Sequence, residues 1–140
     1  MRDHELFRNG EGYRDPTAYA ALCHIDEPDF IPKALVYICS PYRGDTGANI
    51  RLAREFCATA VDAGYAPIAP HLLLTQFMDD DNPHQRHKAF GINKHLLRIC
   101  QELWVYEPRI SHGMRQEITW ARQLHKPIRF FNHDFQEVTQ

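Results

Sequence analysis

Along this 140-residue chain, short unbroken apolar runs alternate with longer stretches that place an apolar residue every three or four positions. The run Leu35-Val36-Tyr37-Ile38-Cys39 is apolar and rich in β-branched residues, reads as a buried strand, and stops at Ser40-Pro41. Proline cannot donate to a sheet ladder, so the strand must end there. After the small-residue loop Arg43-Gly44-Asp45-Thr46-Gly47, residues 48–63 carry helical periodicity, with Ile50, Ala53, Cys57, Ala60 and Val61 on one face. Gly64 is the helix stop. Residues 65–70, with Pro67 and Pro70, suit an edge strand, and residues 71–77 a short helix covering that edge. Residues 78–83 form a loop holding Asp79, Asp80 and Asp81. A second long helix is expected over residues 84–98, with Ala89, Ile92, Leu96 and Ile99 at core spacing. Residues 103–106 make the next strand. Residues 114–124 make a third helix with Met114, Ile118, Ala121 and Leu124 inward, and residues 128–131 a last strand before a polar tail.

Strands alternating with helices imply right-handed crossovers and an α/β fold: a doubly wound, Rossmann- or flavodoxin-like parallel sheet of four to five strands with helices on both faces. The expected order 2-1-3-4 places the topological switch between the first strand and the strand at residues 103–106. Ligands bind outside the carboxyl ends of the strands at such a switch. The loops bordering it are residues 40–47 and 107–113. Residues 1–33 are polar, without sheet periodicity, and Asp15-Pro16-Thr17 has the form of a helix start. They read as an N-terminal arm ahead of one domain over residues 34–140.

Composition narrows the function classes. With 44% hydrophobic and 24% charged residues the chain has ordinary globular content. A net charge of −2 and a pI near 6.5 argue against a nucleic-acid polymer as partner, while leaving room for small anionic ligands. No apolar run is long enough to span a bilayer and the N-terminus has no signal-peptide core, so no membrane association and a cytoplasmic location are expected. Cys23, Cys39, Cys57 and Cys100 form no CxxC pair, which argues against a disulfide or zinc framework; buried free thiols account for Cys39, Cys57 and Cys100, and the context of Cys23 assigns it no role. His84 and His87, with Asp79 to Asp81, match no ligand spacing, so neither a metal nor a cofactor is expected. Trp104 and Phe130 read as core, and Trp120 as packing at a subunit interface or under a base. Phe77, Phe90 and Trp120 exceed a small domain's needs and point to a homodimer or higher homo-oligomer.

Two stretches carry candidate chemistry. At the end of the first strand, backbone N–H groups of the following helix and Arg43 can seat a phosphate or another anion; an ordinary loop arginine is the plain alternative. In the second, Ser111-His112-Gly113-Met114-Arg115-Gln116-Glu117, the glutamate lies about one turn into a helix, beside its apolar stripe.

Together, Tyr37-Ile38-Cys39-Ser40-Pro41-Tyr42-Arg43-Gly44 and Ser111-x-Gly113-x-x-x-Glu117-x-x-x-Ala121 resemble the nucleoside 2-deoxyribosyltransferase superfamily, closest to its 2′-deoxynucleoside 5′-phosphate N-hydrolase branch. The resemblance extends over residues 35–131. It implies an N-glycosidase-type enzyme that cleaves or transfers the nucleobase–(deoxy)ribose bond of a small-molecule nucleotide or nucleoside. By the same resemblance, Glu117 is the nucleophile at C1′, in the manner of a retaining glycosidase, and Tyr37 orients it. Ser40, Arg43, Gly44, Asn49, Ser111 and Gly113 would bind substrate, with Arg43, the Gly44 backbone, Ser111 and Gly113 around a 5′-phosphate. Ser111 stands where transferases carry an aspartate, which favours a nucleotide. One departure matters: the family's aspartate eight residues before the acid that opens the third strand falls here on Lys94, beside Asn93. Two alternatives therefore stay open, a catalytically silent nucleotide-binding module and a hydrolase of NAD-like ribosyl cofactors.

Overall fold

The computed structural model describes residues 29–139, and the unit Pro32–Gln140 carries every described element. In chain order these are β1 (Leu35–Cys39), α1 (Thr46–Asp62), β2 (Ala66–Ile68), α2 (Pro70–Leu73) running into a 3-10 turn (Leu74–Gln76), α3 (Pro83–Ile99), β3 (Glu102–Tyr106), α4 (His112–Gln123), β4 (Ile128–Phe131) and β5 (Glu137–Val138). The sheet order is β2-β1-β3-β4-β5. β1 to β4 pair in parallel, and β5 is added antiparallel to β4. The α/β sheet and the switch between β1 and β3 are as the periodicity predicts. The addition is β5, two residues of the stretch read as a polar tail, too short to show a period of its own. The expected helix start at Asp15-Pro16-Thr17 lies outside the described residues.

Side chains alternate across the sheet and build a core on each face. Tyr37, Cys39, Leu103 and Val105 pack under α3 and α4, against Leu97, Met114, Ile118 and Trp120. Val36, Ile38, Trp104 and Phe131 face the other way, against Phe56 and Ala60 of α1. Phe56 meets Phe131 edge-on at 5.3 Å between ring centroids and stacks on Phe135 at 5.2 Å. At the amino end of the sheet, Arg129 lies over the Trp104 ring at 4.8 Å and bonds Glu102 and Glu137, which ties β3, β4 and β5 together.

Two helix faces differ from the expected ones. In α1 the buried face is Asn49, Ala53, Phe56 and Ala60, while Val61 is exposed. Asn49 is polar, and that identity hides its place on the inner face. In α3 only Leu97 is fully buried; Ile92 and Ile99 are exposed. Adjacent Leu96 and Leu97 leave the helix phase ambiguous by one residue, and packing on the sheet selects Leu97. Trp120 is also not an exposed interface aromatic: it is 5% exposed and packs edge-on against Phe90 at 4.6 Å. Phe77 and Phe90 do face solvent.

Candidate functional site

β1 delivers two side chains to the carboxyl end of the sheet on the α4 face, Tyr37 and Cys39, both fully buried. α4 delivers Glu117 to the same place. Ser111 is the N-cap of that helix, its hydroxyl accepting from Met114 N at 3.3 Å, so the helix begins early enough for Glu117 to stand in its second turn. Cys39 Sγ donates towards Glu117 Oε1 at 3.8 Å. The Tyr37 hydroxyl neighbours the same carboxyl closely enough for the two ionisations to be coupled, yet it makes no hydrogen bond of normal geometry. Burial pushes the Glu117 carboxyl up to about 7, against the lowering pull of the Tyr37 and Cys39 donors. Burial, and then the Glu117 charge, push the Tyr37 hydroxyl and the Cys39 thiol well above their ordinary values. Near neutral pH the seat therefore holds a carboxyl poised between its two forms beside two protonated donors.

One residue past the end of β1 the chain turns to a different pocket. Ser40 Oγ lies 3.2 Å from His71 Nε2 at the start of α2, and Tyr42 packs on the same ring at 5.7 Å. Burial holds His71 down to about 4, so its ring is neutral near pH 7. Beyond it a cleft of about 340 Å³ opens between the β1–α1 loop and residues 78–81, lined by Tyr42, Arg43, Gly44 and Thr46 on one side and Thr75, Met78, Asp79, Asp80 and Asp81 on the other. Arg43 spans it, Nε donating to Asp80 Oδ2 at 2.9 Å and Nη2 standing 2.7 Å from the same oxygen. The acidic loop thus folds over the cleft and holds Arg43. At the N-terminus of α1 an acid is in place too: Asp45 caps the helix by accepting from Ala48 N at 3.2 Å, which moves the helix start ahead of residue 48.

The expected site residues do not gather at one place. Tyr37 and Glu117 meet at the sheet end. Arg43 and Gly44 line the cleft, whereas Ser111, Gly113 and Glu117 do not. Asn49 shapes the loop between them: its Nδ2 donates to the Tyr42 and Arg43 carbonyls at 2.9 and 3.1 Å, and its Oδ1 accepts from Arg109. Arg109 belongs to the β3–α4 loop, so this contact joins the two loops that border the switch. Sequence reasoning missed Arg109, although it is the sole basic residue between Tyr106 and Ser111. It also missed Cys39 as a neighbour of Glu117, and Asp80 as the partner of Arg43. Lys94 turns its ammonium over the Trp120 ring at 5.8 Å, and Asn93 beside it keeps a buried, unpartnered Oδ1. Among the described residues no three His, Cys, Asp or Glu side chains converge as a metal site would require.

Solved structures with this architecture include a 2-deoxyribosyltransferase from the psychrotolerant bacterium Bacillus psychrosaccharolyticus, at a TM-score of 0.56 and 15% identity, covering 76% of this chain and 77% of that one. A 2-deoxyribosyltransferase from Leishmania mexicana aligns at a TM-score of 0.49 and 18% identity, over 70% of this chain and 63% of that one. At the identity of the first the likeness is one of fold. No curated protein matches the sequence. The sequence does match the family described as Domain of unknown function (DUF7768) over residues 34–131, so the chain belongs to that family.

Proposed function

We propose that this protein is an N-glycosidase-type enzyme acting on the bond between a nucleobase and the (deoxy)ribose of a small nucleotide or nucleoside, with Glu117 as nucleophile. The observation that carries the reading is the seat of Glu117, a desolvated carboxyl beside the Tyr37 hydroxyl and the Cys39 thiol at the carboxyl end of β1, next to the topological switch. In this mechanism the ionised carboxylate attacks C1′, the C1′–N bond breaks with its electron pair leaving on the base, and a glycosyl ester forms on Glu117. Water or a second base then resolves the ester. Tyr37 aims its otherwise unpartnered hydroxyl at the carboxyl or at the sugar. In the nucleotide form of the reading, a 5′-phosphate lies against Arg43 and the Gly44 backbone and displaces Asp80. Ser111, whose hydroxyl accepts from Met114 N, keeps its own O–H free to donate. The fold it shares with a 2-deoxyribosyltransferase is consistent with this chemistry.

One observation favours the silent binding module instead. Lys94, where the resemblance expects an acid, is engaged with Trp120, and no described carboxylic acid takes its place beside Glu117. The deciding experiment offers a panel of deoxy- and ribonucleosides, their monophosphates and NAD, and reads free base by mass spectrometry. Base release that disappears in Glu117→Gln supports the enzyme. Binding without release supports the module, and release from NAD alone supports the cofactor hydrolase. We also infer self-association, since Phe77 and Phe90 are 67% and 49% exposed. Sedimentation showing only monomer at micromolar concentration would remove that inference.

A further inference from the structure

We propose that Cys39 is a positioning residue for Glu117: its buried thiol, shared between the Glu117 carboxyl and the Met114 carbonyl, holds the carboxylate at the end of β1 and changes partner as that carboxyl ionises. Cys39 is 0% exposed, and its Sγ stands 3.8 Å from both Glu117 Oε1 and Met114 O. One S–H proton thus faces two acceptors and can serve only one at a time. A carboxylate is a stronger acceptor than a peptide carbonyl, because hydrogen bonds to ionised groups are about twice as strong as neutral ones. When Glu117 is ionised the S–H turns to it. When Glu117 carries a proton the thiol returns to Met114 O, a backbone group of the same helix three residues earlier.

The thiol itself stays protonated throughout, since burial and the neighbouring negative charge both oppose its ionisation. Cys39 is therefore a permanent donor rather than a competing nucleophile. Among the described residues, the titratable groups that act on the Glu117 carboxyl are Tyr37 and Cys39, both from β1. From α3, Lys94 is turned to the Trp120 ring, and Cys100, ahead of β3, acts on Tyr37. Tyr37 also lowers that carboxyl, although its hydroxyl makes no hydrogen bond of normal geometry; among the described residues, Cys39 is the side-chain donor whose distance reaches Glu117. The bearing on catalysis rests on the function proposed above; the partner change does not.

Infrared difference spectroscopy of the full chain across a pH titration tests it, because S–H stretching falls in a window clear of other protein bands. One thiol band is expected to move to lower frequency as the Glu117 carboxylate band appears, with a common midpoint. That band is missing in Cys39→Ala and stationary in Glu117→Gln. Cys39→Ala should also raise the Glu117 midpoint by about half a pH unit or more, roughly threefold in the ionisation equilibrium. Cys39→Ser, which restores a donor, should bring it back. A thiol band that ignores pH in the parent, or an equal Glu117 midpoint in the parent and Cys39→Ala, overturns the proposal. If Cys39→Ala fails to fold, the parent compared with Glu117→Gln still decides, since neither alters Cys39. Absence of base release from the parent would sink the catalytic reading and leave the thiol result standing.

Discussion

At Gly113 a Cβ would meet nothing within 4 Å, and the backbone is not in the left-handed region. The fold has no need of glycine there. Gly113→Ala should leave stability unchanged or raise it by up to about 1 kcal/mol, the helix-propensity difference. If a ligand phosphate approaches that backbone, the same change weakens monophosphate binding; thermal melting and calorimetry on one variant separate the two effects. Gly44 is the opposite case. Its φ of +100° strains any L side chain, although a Cβ there would also meet nothing. Gly44→Ala should cost on the order of 1 kcal/mol through backbone strain alone. Glu117→Gln keeps the shape and removes the charge, so base release should fall by at least about a thousandfold, over 4 kcal/mol, with ligand binding largely kept. Wild-type release from that variant would make Glu117 structural.

At the scale of elements, the β1–α1 loop and the loop ahead of α3 meet through Arg43 and Asp80, a pair whose side chains are 58% and 38% exposed. Such exposed pairs contribute only about 0–1 kcal/mol, so a phosphate bringing a charge-assisted hydrogen bond of roughly 1.5–3 kcal/mol can displace Asp80. Arg43→Ala should therefore weaken a monophosphate by about tenfold and leave the matching nucleoside unchanged, while Asp80→Asn should strengthen the monophosphate alone. Calorimetric titration of both ligands against the three proteins reads this directly. Equal changes for nucleoside and monophosphate would remove the phosphate seat. The Arg43–Asp80 pair was not legible in the sequence, because the two residues are 37 positions apart and a charge run carries no address. The expected strand order, drawn from the alternation of apolar runs with helical stretches, is the one found, whereas the pairing of Glu117 with Tyr37 was implied by the family resemblance and not by spacing. Helix phase was legible only where one apolar stripe had no rival. In α4 Met114, Ile118 and Ala121 face inward as expected, joined by Trp120, whereas α3, with Leu96 and Leu97 adjacent, and α1, with an inward Asn49, departed further from expectation.

For the whole molecule, the desolvated Glu117 carboxyl on which the proposed chemistry depends opposes folding near neutral pH. Unfolded, Glu117 titrates near 4.5; folded, near 7. Between those values the folded state holds a proton that the unfolded state has released, so stability falls as pH rises through the window and the loss is complete above about 7. The full shift corresponds to roughly 3 kcal/mol, a large share of a small domain's stability. His71 acts with the opposite sign. Its folded value is held down to about 4 from 6.5, so the unfolded state binds the extra proton between them and stability rises with pH across that range. The two partly cancel in the parent protein, and a bare stability profile would hide both. Glu117→Gln removes one of them. Urea unfolding of the parent and of Glu117→Gln should agree closely at pH 4, below the unfolded value, and diverge at pH 8, with the variant the more stable by about 1–3 kcal/mol. The variant alone should also show the rise from His71 between pH 4 and 6.5. A difference between the two proteins that does not change with pH would mean that Glu117 ionises in the fold as it does in water. The desolvated seat on which the proposed chemistry depends would then be absent.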